Sequence, residues 1–183
     1  MKRAFLPRPI PTDPALLAAG AVLAFDAALS NTGWVMLRRD ELGALAVLEA
    51  GTIRPTTAGR SHEGSYDKAS QLAAVLGPLL RAWAGRGAVV CERPAVSGYR
   101  TDSALLAAYA VHQACVDAGV GAPVLVSRTH VLSLLLGPGT QTKAASTACA
   151  RAWLPGVRFN EHTADAALLG ITALFDISAK GMS

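Results

Sequence analysis

Residues 21–37 read AVLAFDAALSNTGWVML: an apolar run stops at one carboxylate, Asp26, and a second apolar run begins at Trp34. Short apolar runs separated by polar residues predict two strands, Ala21 to Asp26 and Trp34 to Leu37, with Thr32-Gly33 as the turn signal between them. A carboxylate in so apolar a setting costs free energy unless something pairs with it. Asp26 is therefore either a structural acid satisfied by turn amides or a functional one, and the rest of the chain has to decide.

Working outward, residues 44–54 (ALAVLEAGTIR) are rich enough in branched side chains for a third strand, and the short connections predict an antiparallel meander. Residues 54–64 have loop composition. Residues 65–83 place Leu72, Val75, Leu76, Leu79, Leu80 and Trp83 at helical spacing, with Pro78 expected to kink or break the helix. Residues 88–91 (AVVC) form a buried-strand pattern that again ends in an acid, Glu92. A loop follows, then a helix over 102–118, stopped by Gly119 and N-capped by Asp102. A short strand is expected over 123–127, a short helix over 128–136, a tight loop at Gly137-Pro138-Gly139, a helix over 142–153 and a last helix over 160–177. Either Asn160 or Thr163 would cap that last helix. A meander followed by alternating strands and helices gives an α/β fold: a five-stranded mixed sheet, antiparallel in the meander and parallel beyond it, flanked by helices.

Bulk properties narrow the class. The 183 residues suffice for one domain over 21–183, behind a Pro-rich leader over residues 1–20 that carries Pro7, Pro9, Pro11 and Pro14. An apolar content of 51% excludes a disordered chain, and with only 5% aromatics the core has to be built of Ala, Val and Leu. The net charge is +4 and 13 of the 17 basic residues are Arg, a balance compatible with a polyanionic partner. Cys91, Cys115 and Cys149 are odd in number and form no CxxC pair, so free thiols in a reducing compartment are expected. The apolar run at 15–25 is far short of the roughly 20 residues of a membrane span. A cytoplasmic protein is the expectation.

Two predicted strands end in carboxylates. If they are parallel neighbours, Asp26 and Glu92 share one sheet edge, where ligands bind in such sheets. The last helix opens Asn160-Glu161-His162-Thr163-Ala164-Asp165, so His162 and Asp165 share a face that is otherwise apolar. Each has a plainer reading. Glu92 could pair with Arg93 or Arg100, Asp165 could be a first-turn acid favoured by the helix dipole, and Glu161 reads as solvated. Together, though, Asp26, Glu92, Asp165 and His162 make a hard, oxygen-rich donor set suited to Mg²⁺ or Mn²⁺. Two such ions activate a water and stabilise the leaving oxygen of a phosphodiester.

At these residues the chain resembles a family, the RuvC-type Holliday junction resolvases. The run Asp26-Ala-Ala-Leu-Ser-Asn-Thr32-Gly33-Trp34 is similar to their opening D-P-G-x-x-x-T-G-[YW], with Ala27-Ala28 in place of Pro-Gly. Residues 49–55 (EAGTIRP) look like their third strand, and Val90-Cys91-Glu92 like their second acidic strand end. Residues 102–105 (DSAL) resemble the start of their next helix, the stretch from Gly137 to Lys143 their G-x-G-x-x-x-K loop, and His162-Thr-Ala-Asp165-Ala-Ala-Leu their closing motif. The resemblance runs in order from about residue 21 to 176. It implies a ribonuclease H-like fold, a homodimer, two Mg²⁺ or Mn²⁺ ions per site and paired nicking of four-way DNA junctions. It also implies metal ligation by Asp26, Glu92 and Asp165, with His162 where the family often has a further acid and Lys143 near the scissile phosphate. Arg93, Arg100, Arg128 and Lys143 are the expected phosphate contacts, and Tyr99 is the candidate wedge against junction bases.

Rival readings remain at this point: a nuclease for flaps or RNA–DNA hybrids, a non-cleaving branched-DNA-binding relative, and an actin-like nucleotide-binding domain. The last needs a glycine-rich phosphate loop after the first acid, where this chain has Ala27-Ala28-Leu29.

Overall fold

Every residue of the first strand, β1 (Ala21–Asp26), is buried, which requires neighbours on both edges and both faces. The computed structural model describes residues 20–56, 62–94, 101–139 and 142–180. In it β1 is the middle strand of five. The other strands are β2 (Thr32–Arg39), β3 (Leu45–Ile53), β4 (Ala88–Glu92) and β5 (Val124–Val126), in the order β3-β2-β1-β4-β5. β1 pairs antiparallel with β2 and parallel with β4, while β2 pairs antiparallel with β3 and β4 parallel with β5. This is the mixed sheet expected from the sequence.

The two-residue period of a strand divides the core into two layers. Ala21, Leu23 and Phe25 face α1 (His62–Trp83) and α2 (Thr101–Asp117), packing on Leu72, Leu76, Leu80, Trp83 and Val111. Val22 and Ala24 point the other way, with Val35, Leu37 and Val90. They face α3 (Arg128–Leu136), α4 (Lys143–Trp153) and above all α5 (Glu161–Lys180), whose Leu168, Leu169 and Ile171 are fully enclosed. Asp26 follows Phe25 and so belongs to the α5 layer; Glu92, two residues after Val90, belongs there too.

α5 lies directly on the sheet because two glycines let it. A Cβ on Gly33 would stand 2.2 Å from the His162 carbonyl oxygen, and one on Gly170 would stand 2.8 Å from Leu37 Cδ1. Both are closer than real side chains come.

Several elements depart from the sequence-based expectation. Thr32 and Gly33 belong to β2, so the turn occupies the residues before them. There the Thr32 hydroxyl donates to the Ala28 carbonyl at 2.8 Å and accepts from the Ala28 N–H at 3.3 Å. α1 starts at His62, and Pro78 does not break it. Pro78 and Ala74 are both solvent-exposed, so the Ala74 carbonyl that loses its partner faces water. Gly77, lacking a Cβ, eases the clash that Pro imposes on its predecessor. Asp102 lies in the first turn of α2, one residue inside the helix, and not at the N-cap. Asn160 caps α5: its Oδ1 accepts from the backbone N–H of His162 and Thr163, each at 3.0 Å.

Cys91 and Cys115 are buried free thiols and Cys149 is half-buried. Burial pushes the Cys115 thiol up to about 12, consistent with a packing role. No helix among the described residues is long and apolar enough to cross a membrane. The leader expected over residues 1–20 lies outside the described residues except for Gly20.

Candidate active site

The parallel pairing of β1 and β4 matches Phe25 with Cys91, so the next residues, Asp26 and Glu92, sit side by side at the carboxyl ends of their strands. Arg128 opens α3 just past the end of β5, at the same sheet edge. The N-terminus of α5, seated on Gly33, brings Glu161, His162 and Asp165 over that edge. The ends of three parallel strands and one helix start thus converge, where mixed and parallel sheets place their ligands.

The side chains form two linked sets. In the first, His162 Nδ1 lies 3.3 Å from Asp26 Oδ2, and its Nε2 lies 3.5 Å from Glu161 Oε1. Lys143 Nζ, at the start of α4, donates to Glu161 Oε2 at 2.6 Å. A chain of contacts therefore runs from solvent-exposed Lys143 through Glu161 and His162 to buried Asp26. The Lys143 hydrogen bond holds the Glu161 carboxyl below the usual range. In the second set, Arg128 forks onto Asp165: Nε lies 3.3 Å from Oδ2, and Nη2 lies 3.2 Å from Oδ2 and 3.4 Å from Oδ1.

The electrostatics are those of crowded carboxylates. Glu92 is pushed up to about 8, first by burial and then by a hydrogen bond with Asp26 and by its charge; Asp165 adds to this and Arg128 opposes it. Asp165 is raised as well, chiefly by burial, against the Arg128 charge that favours its ionised form. Three acids share an edge at which Arg128 is paired to Asp165. Oxygen donors that repel one another and that burial keeps short of counter-charge fit a hard divalent ion. The shell is nevertheless open as it stands: among the described residues, no three His, Cys, Asp or Glu side chains are gathered closely enough to hold a metal. Asp165 is occupied by Arg128.

Of the residues singled out in the sequence, Asp26, Glu92, His162 and Asp165 are brought together, with Lys143 at the rim. Arg93, the residue after Glu92, is exposed, and its backbone N–H donates to the Val126 carbonyl at 2.7 Å. Arg128 is engaged with Asp165 and not free on the surface. Tyr99 and Arg100 lie outside the described residues. Glu161, read from the sequence as solvated, is exposed, and it also pairs with Lys143 and lies beside His162. Its one available signal was its place beside His162, and its partner Lys143 is 18 positions away.

No family model matches the chain, and no curated protein matches it in sequence. Solved structures do match. A five-stranded β3-β2-β1-β4-β5 sheet with helices on both faces is the ribonuclease H-like class. Within that class the Thermus thermophilus RuvC structure matches with a TM-score of 0.66 at 19% identity, over 88% of this chain and 96% of that one. The same protein in complex with a Holliday junction substrate gives 0.67 at 21% identity, over 87% and 96%. The yeast mitochondrial Holliday junction resolvase gives 0.55 at 15%, over 86% and 82%. The chain is RuvC-like in fold.

Proposed function

We propose that this protein is a divalent-metal-dependent, structure-selective DNA endonuclease that resolves four-way junctions by paired nicks. The observation that carries the reading is the convergence of Asp26, Glu92, His162 and Asp165 on one edge of a RuvC-like sheet. Asp26, Glu92 and Asp165 would hold Mg²⁺ or Mn²⁺, two per site. Bound ions would supply a water activated at neutral pH and positive charge at the leaving 3′ oxygen.

The chain's own groups do the rest. His162 is aimed at Asp26 by its place above Gly33, and its ring can take up or return a proton at the attacking side. Glu161 keeps His162 and Lys143 in one line, leaving Lys143 as a point charge for a phosphate oxygen. Arg93, exposed beside Glu92, is suited to the same backbone, as are Arg100 and the stacking ring of Tyr99 by their place in the sequence. Products would carry 5′-phosphate and 3′-hydroxyl ends. A homodimer would present two such sites to the two strands to be cut. α2 favours this, with Leu105, Tyr109 and Val116 exposed along one helical stripe.

The test is to incubate the protein with four-way junction, flap, splayed-arm and RNA–DNA hybrid substrates, in Mg²⁺ or EDTA, beside Asp26→Asn. Junction nicking that disappears in EDTA and falls by on the order of a hundredfold or more in the variant is expected, the scale of several kcal/mol of charge stabilisation. Cleavage indifferent to EDTA or to Asp26→Asn overturns the metal assignment. Cutting of flaps alone removes the junction assignment and leaves the chemistry.

A further inference from the structure

We infer that Arg128 is a positioning residue that stands in for the cation at Asp165, so that guanidinium and divalent ion compete for one carboxylate. The inference rests on the two-metal reading above and goes beyond it.

Three observations carry it. Arg128 Nε and Nη2 both lie nearest Asp165 Oδ2, at 3.3 and 3.2 Å, and Nη2 also reaches Oδ1 at 3.4 Å, so the guanidinium stands where a cation would pair with this carboxylate. The Asp165 side chain is only 11% exposed, so this carboxylate has little water to fall back on and needs a positive partner. And among the described residues the acids are not gathered into a ready three-ligand cluster, although three of them share the edge.

The Arg128 side chain is 29% exposed, at the rim where a nucleic-acid backbone would pass. Released from Asp165, it keeps its charge and meets phosphate with the same fork. One side chain then links two equilibria. An ion at Asp165 frees Arg128 for DNA, and a phosphate on Arg128 frees Asp165 for the ion, with the same coupling in either direction. Away from DNA the metal site stays weak.

The experiment measures metal binding and not cleavage. Mn²⁺ is titrated into the full-length protein without DNA, followed by electron paramagnetic resonance, for the native chain, Arg128→Gln and Asp26→Asn. Arg128→Gln is expected to bind Mn²⁺ roughly tenfold tighter, the scale on which outer partners tune metal affinity. Unchanged or weaker binding, with Asp26→Asn still abolishing it, overturns the role of Arg128 and leaves the metal site intact. Binding indifferent to Asp26→Asn overturns the metal site itself, and this inference with it. A second measurement needs no variant. The Arg128 Nε–H resonance of the native protein is expected to shift into the exposed-arginine envelope as Mg²⁺ is added; a resonance unmoved at saturating Mg²⁺ overturns the competition.

Discussion

Glu92 shows at the scale of one residue what burying a carboxylate, and then setting another beside it, does to a fold. Its carboxyl is raised from an ordinary 4.5 to about 8, so the folded chain prefers it protonated. A raised acid contributes its full stability below the unfolded value and loses it as pH climbs toward the folded one. In EDTA the melting temperature is therefore expected to fall between about pH 4.5 and 8, by about 2–4 °C for each kcal/mol lost. Glu92→Gln should flatten that slope in a pH series of thermal melts, and Mg²⁺ at pH 8 should recover part of the loss in the native chain. A slope unchanged by Glu92→Gln would assign it to another group. The residues that carry this charge were visible in the sequence because each interrupts an apolar run: Asp26 after Phe25, Glu92 after Cys91, Asp165 on the buried face of a helix. Arg128 was visible only as a basic residue. Its partner lies 37 positions away, and nothing local in the chain records a pairing made by tertiary packing.

Among the elements, α5 carries the most consequence. Its N-terminus delivers His162 and Asp165, and its height above the sheet is set by backbone contact at Gly33. Gly33→Ala is expected to lower stability by about 1–3 kcal/mol, as overpacking does. Because the clash is with the His162 carbonyl, junction cleavage should drop well beyond what the unfolded fraction explains. Urea titration alongside single-turnover cleavage separates the two; a cleavage loss no larger than the unfolded fraction would deny α5 its aiming role. Element existence was legible throughout, since run length and flanking turn signals distinguish β1 from α5. Local rules failed where tertiary position overrode them. Pro78 reads as a helix breaker until its place on the wet side of α1 is known. Thr32-Gly33 reads as a turn until β2 is seen to need Gly33 for the approach of α5. The absence of Pro-Gly after Asp26 is met by the Thr32 hydroxyl, which holds both backbone groups of Ala28.

Across the whole molecule, chemistry and proposed assembly fall on opposite layers. The acids belong to the α5 side of the sheet and the exposed stripe of α2 to the other. Tyr109 is 63% exposed at the middle of that stripe, so an arginine there should be tolerated by the monomer and not by a paired surface. Tyr109→Arg is expected to halve the mass seen in sedimentation velocity with melting nearly unchanged, and to convert paired junction nicks into single ones. A native chain already monomeric at micromolar concentration would rule the stripe out as the contact.

Phe25 and Asp26 are consecutive, yet one packs a helix pair and the other faces the edge where the acids converge. The strand that carries them behaves as a two-sided tape read in a fixed frame. Substitutions on either side alter one layer at a time, so the proposed subunit contacts and the proposed cutting chemistry are free to drift separately through a lineage. A one-residue insertion or deletion within Ala21–Phe25 turns the tape over, exchanging the aromatic and the acid, and both layers are lost in a single event.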